Sequence, residues 1–160
     1  MARRIFISYQ HDDQMKAKGF HLLKWNKNVD LDFVGRHLLD PVDSKNEKYV
    51  WDKIREQING TSVTVVLIGK KTHDSVWVRD EIEFSLSKEK PNGILAIKLD
   101  DGVPLPADSP VGKILHDCGA EIIDWNPHNF GDAIERAAIS GGRGLAVTTT
   151  VAGGSSSCAR

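Results

Sequence analysis

Ser62-Val63-Thr64-Val65-Val66-Leu67-Ile68-Gly69 is the stretch on which the fold turns. Its unbroken β-branched and aliphatic run lacks the alternation of a half-exposed strand. It predicts a central strand covered on both faces, as in parallel sheets flanked by crossover helices. Working outward, Arg4-Ile5-Phe6-Ile7-Ser8-Tyr9 predicts a second strand of this kind, and Leu31 to Val34 a short one. Ile94 to Leu99 and Glu121 to Trp125 complete the set. Helical periods fall between them. Met15, Phe20, Leu22, Leu23 and Trp25 follow a cap at Asp12 or Asp13. Val50, Ile54 and Ile58 recur every four residues beside Trp51, and Asn59-Gly60 ends that helix. Val78, Ile82 and Leu86 follow a loop and cap at Thr72 to Ser75 and run to about Lys90; Phe130 to Ile139 closes the series. The stretch from His37 to Glu47 and the one holding Pro104, Pro106 and Pro110 have loop chemistry.

Five strand–helix alternations predict an α/β domain: a doubly wound, flavodoxin-like, five-stranded parallel sheet with right-handed crossovers. It occupies residues 1–140 as a single domain, and 141–160 reads as a Gly/Ser-rich flexible tail. Such sheets bind ligands in the crevice beyond the carboxyl ends of their strands. Functional residues are therefore expected just after Tyr9, in the 37–47 loop, from Gly69 to Trp77, and just after Leu99.

Composition narrows the choice of function. A chain of 160 residues suits one domain, and 21 Lys+Arg against 22 Asp+Glu leave a net charge of −1. That balance argues against bulk binding to nucleic acid or an anionic membrane. No apolar run approaches the roughly 20 residues of a membrane span, so a soluble cytoplasmic protein is expected. Cys118 and Cys158 have no zinc spacing, and the six histidines never form H-x-x-x-H, so no metal site is expected. There is no Walker loop, no G-x-G-x-x-G after the first strand, and no G-x-S-x-G elbow. A phospho-receiver needs an Asp at the end of the third strand, where Gly69-Lys70 stands.

Ser75-Val76-Trp77-Val78-Arg79-Asp80-Glu81-Ile82 is the stretch that can carry chemistry. Trp77 and Glu81 are i,i+4 neighbours on one helix face, and Phe84 is three residues further round. A carboxylate thus lies between two aromatic rings at the carboxyl edge of the sheet. Desolvation by the rings opposes its charge, whereas the helix dipole and Arg79 favour it. On spacing alone the ordinary reading is a surface Glu flanked by core aromatics.

The first strand, with its Ser-Tyr ending, resembles the first box of TIR domains. Asn59 to Gly69, followed by Ser75 to Ile82, resembles their third strand and Trp-x-x-x-Glu helix. The combination is most similar to the bacterial branch that includes the TIR subunit of Thoeris anti-phage defence systems, over residues 3 to 139. Arg4, where many TIR domains have Asp, fits that divergent branch.

The resemblance implies a TIR fold and an NAD⁺ glycohydrolase or cyclase with Glu81 as the essential acid; NAD⁺ is then the substrate, and no separate cofactor is expected. The nicotinamide–ribose bond breaks through an oxocarbenium-like ribose, and the ADP-ribose product signals to a separate effector. Phe6, Ser8 and Tyr9 line the pocket floor, and Gln10 and His11 stand where some relatives carry basic residues for the phosphates. Gly69 admits substrate to the backbone, and Trp77 packs beside the nicotinamide. The 37–47 loop serves head-to-tail assembly into a homo-oligomer. Each residue also has an ordinary reading: Phe6 as core, Gly69 as a turn, Trp77 as a wedge between helix and sheet. The rival of another class is a non-catalytic TIR adaptor acting through protein contacts alone.

Overall fold

In the computed structural model the described residues are 3–13, 15–17, 19, 29–32 and 47–141. Strands β1 (Arg3–Tyr9), β2 (Val29–Asp32), β3 (Val63–Ile68), β4 (Gly93–Lys98) and β5 (Glu121–Asp124) form one sheet in the order β2-β1-β3-β4-β5. Every neighbouring pair is parallel. The chain is therefore α/β with a parallel sheet, and its order reverses at β1, where doubly wound sheets open a crevice. Helices α1 (Glu47–Asn59), α2 (Val76–Ser87), α3 (Pro110–Asp117) and α4 (Phe130–Ser140) supply the cover.

All six residues of β3 are buried, as its unbroken apolar run requires. The pleat divides the core in two. Ile5, Ile7 and Tyr9 of β1, with Val63, Val65, Leu67, Leu95 and Ile97, pack against Phe130, Ile134 and Ala138 of α4. On the opposite face Val66, Ile68 and Ala96 pack against Val78 and Ile82 of α2 and Val111 and Leu115 of α3. Phe6 meets Val50, Ile54 and Ile58 of α1 on that same face. Gly93 lets α4 come close: a Cβ there would overlap the Ala137 carbonyl.

A buried polar network ties the amino-terminal ends of β3 and β4 to the carboxyl ends of α1 and α2. Asn92 donates from Nδ2 to Thr61 Oγ1 and Thr64 Oγ1, both at 3.0 Å, and its Oδ1 accepts from Lys88 Nζ at 2.6 Å. Lys88 also donates to the carbonyls of Ile58 and Thr61, covering the carboxyl end of α1.

Three sequence expectations need comment. The region around Pro104 to Pro110 is not loop throughout. Ser109 accepts from Gly112 N at 3.1 Å as N-cap, and Pro110 opens α3, where its missing N–H costs nothing. The second strand begins at Val29, two residues before the expected start. Met15 to Ala17 are helical as expected, but Phe20, Leu22, Leu23 and Trp25 lie outside the described residues. So do the 37–46 segment and everything after Gly141, including the expected tail.

Candidate active site

β1 and α2 build the site. Alternation along β1 turns Phe6 and Ser8 to the face covered by α1 and α2, and turns Tyr9 to the other. α2 starts where Ser75 accepts from Val78 N at 3.1 Å, which fixes its first turn beyond the carboxyl end of β3. One turn later Glu81 is 1% exposed. Ser8 Oγ donates to Glu81 Oε1 at 2.5 Å, and Trp77 Nε1 donates to Glu81 Oε2 at 3.1 Å. A carboxylate at this depth has lost its water, and a donor on each oxygen compensates. The two bonds also fix the plane of the carboxylate.

Trp77 is itself held. Its ring stacks on Trp51 of α1, with centroids 5.0 Å apart and planes 25° from parallel. The Arg55 guanidinium covers both Trp51 and Phe84, at 5.3 Å and 5.9 Å from their centroids. Phe84 packs on the Phe6 cluster. Arg79 is engaged elsewhere: its Nη2 is 2.7 Å from Asp80 Oδ1. Its expected support of Glu81 goes to that neighbouring carboxylate.

The structure thus brings Phe6, Ser8, Trp77 and Glu81 together and separates them from Tyr9, which faces the α4 side of the sheet. Gln10 follows at the strand end, where its Oε1 accepts from Asp12 N at 2.7 Å. His11 opens the turn His11–Asp13; its side chain lies outside what is described. Gly69 sits at the end of β3, and the space over its Cα belongs to Asp13. A Cβ at position 69 would overlap the Asp13 carboxylate. Thr72 Oγ1 accepts from Gly69 N at 2.8 Å and lies 3.4 Å from Asp13 Oδ2.

Burial pushes the Asp13 carboxyl above its ordinary value of 3.8; the Thr72 hydrogen bond and Lys16 oppose that shift, while Asp12 and Asp100 add to it. In the sequence Asp13 reads as a helix cap after the first strand. Its pairing with Gly69 joins residues far apart in the chain and leaves no local signature. Trp51 was legible as an aromatic beside the Val50–Ile54–Ile58 stripe, but its partner was not. Among the described residues, no three His, Cys, Asp or Glu side chains converge as a metal site would require. No helix among them is long and apolar enough to cross a membrane.

A buried carboxylate held by a hydroxyl and an indole, at the carboxyl edge beside the strand-order reversal, can accept hydroxyl hydrogens and stabilise adjacent positive charge. Comparison with known families bears on what that group serves. The profile of the Thoeris protein ThsB TIR-like domain matches residues 6–103, which hold residues 6–9 of β1, the whole of β2, α1, β3, α2 and β4, and all the residues assembled around Glu81. No curated protein matches the chain. The chain belongs to the TIR-like domain family of the Thoeris protein ThsB, a family of anti-phage defence.

Proposed function

We propose that this domain cleaves NAD⁺ at its nicotinamide–ribose bond and so makes an ADP-ribose-derived signal in bacterial anti-phage defence. The observation that carries the reading is the Glu81 carboxylate, buried and held by Ser8 Oγ and Trp77 Nε1. Each carboxylate oxygen can accept more than one hydrogen bond, and in the proposed complex the ribose hydroxyls approach the Glu81 carboxylate. As the C1′–N bond breaks, its electron pair leaves with nicotinamide, which departs neutral. Positive charge then spreads over C1′ and the ring oxygen of the ribose. A fixed carboxylate in a dry site stabilises that charge without having to reorganise. Water captures C1′ and gives up a proton to yield ADP-ribose, or a nucleophilic atom of the same molecule captures it to yield a cyclic product.

Phe6 and Trp77 supply apolar wall beside Glu81. Gln10, whose carbonyl oxygen is occupied by Asp12 N, keeps its NH₂ to donate to the phosphates with His11. Tyr9 acts from the opposite face, as support for the strand end. Gly69 acts through Asp13, which fills the space the glycine leaves. Self-assembly through TIR–TIR contacts completes the unit, and the product reaches a separate effector.

The test is direct. Purified full-length protein is incubated with NAD⁺ over a range of protein concentrations, and free nicotinamide is followed by chromatography. Release by the wild type and a loss of about 100-fold or more in Glu81→Gln is expected. Equal turnover by both would remove Glu81 from the mechanism. No turnover at any concentration, with retained capture of a TIR partner, would establish the adaptor in its place.

A further inference from the structure

We infer that Trp51 of α1 is a positioning residue for Glu81, acting through the Trp77 indole that it stacks against. The inference rests on the proposed NAD⁺ cleavage for its kinetic part only. Two i,i+4 pairs face each other across the α1–α2 seam: Trp51 with Arg55, and Trp77 with Glu81. Trp77 lies in the first turn of α2, where a half-buried indole has several rotamers open to it. The 5.0 Å stack on Trp51 restricts that choice to the one in which Nε1 reaches Glu81 Oε2. Arg55, lying over both Trp51 and Phe84, ties α1 to α2 beside the stack. Ser8 fixes the other carboxylate oxygen from the sheet. The carboxylate plane is thus held by one contact from β1 and by one relayed from α1. Any displacement of α1 along the seam would reach Glu81 by this route.

The experiment combines spectroscopy with kinetics on the full-length chain. The Trp77 indole N–H resonance is assigned through Trp77→Phe, and Glu81→Gln records its position when the acceptor is neutral. Trp51→Leu keeps apolar volume in the seam but removes the ring; Trp51→Phe keeps a ring to stack. Trp51→Leu is expected to move the Trp77 resonance away from its wild-type position and to lower kcat about tenfold with KM changed less than about twofold. Trp51→Phe is expected to restore both. Trp51→Met carries the same expectation as Trp51→Leu and is read in its place if that variant does not fold. An unmoved Trp77 resonance overturns the positioning role whatever the activity. So does a kcat loss that Trp51→Phe shares in full. The resonance is read without NAD⁺, so a wild type that cleaves no NAD⁺ defeats the proposed function while the test of Trp51 still stands.

Discussion

Ser8 and Asp13 occupy neighbouring strand ends, yet their chemistry is opposite. Ser8 gives a hydrogen bond to a buried carboxylate, so Ser8→Ala leaves Glu81 Oε1 short of a donor. The expected cost is about 1–3 kcal/mol of stability, read by denaturant unfolding, and a fall of about tenfold or more in nicotinamide release. Unchanged turnover with lowered stability would make the bond architectural only. Asp13 is a carboxyl whose burial favours its neutral form. A folded-state value raised above 3.8 means the native state binds the proton more tightly than the unfolded chain. The resulting stability is fully present below pH 3.8 and is lost as pH rises through the folded-state value. Asp13→Asn keeps the shape that fits over Gly69 without the charge. It should raise the melting temperature at pH 7, modestly because the group is partly solvated, and the gain should vanish below about pH 4. A gain that persists at pH 3 would mean that charge is not its cause.

The elements were legible wherever burial imposed its pattern on local sequence. β3 and β1 could be read because a strand covered on both faces must be apolar throughout. That same uniformity hid which way Tyr9 points, because only period-two counting from Phe6 and Ser8 separates the faces. Helix α3 was lost for a different reason. Three prolines within seven residues read as loop, although Ser109-Pro110 is also the N-cap and first position of a helix, with Val111 and Leu115 buried four apart. The i,i+4 spacing of Trp77 and Glu81 was legible; the stack of Trp51 and the seat of Asp13 were not, because both are made between elements. Asn92 belongs with them. It reads as part of a Pro-Asn-Gly turn, yet it is fully buried and joins Thr61, Thr64 and Lys88. Asn92→Ala removes all three of these bonds at once, leaving Thr61 Oγ1 to its bond with the Ile58 carbonyl and Thr64 Oγ1 to its bond with Ser85 Oγ, so a loss of about 2–4 kcal/mol is expected in urea unfolding. A loss below about 0.5 kcal/mol would show that water replaces the amide at no cost.

Across the whole molecule the parallel sheet divides labour between its ends. The amino-terminal end of β3 and β4 carries the buried Asn92–Lys88 network, and the carboxyl end carries Glu81 with its exposed charged surroundings. Those surroundings hold charges of both signs in pairs, in keeping with the net charge of −1. Lys71 pairs with Asp12 at 3.0 Å, Lys16 with Asp100 at 2.6 Å, and Arg79 with Asp80 at 2.7 Å. Such exposed pairs add little stability, but each cancels a positive charge that could otherwise draw in an anionic dinucleotide. Capture of NAD⁺ then depends on short-range groups at the strand ends, whose contacts salt screens weakly, and not on a long-range field, which salt screens strongly. Raising ionic strength from about 50 to about 300 mM should therefore change kcat/KM for NAD⁺ by less than about threefold. A fall of tenfold or more over that range would locate a concentrated positive potential in the active species. Since Lys16, Lys71 and Arg79 are already paired within the chain, a charge gathered by assembly of several copies would make the steepness of that salt dependence rise with protein concentration.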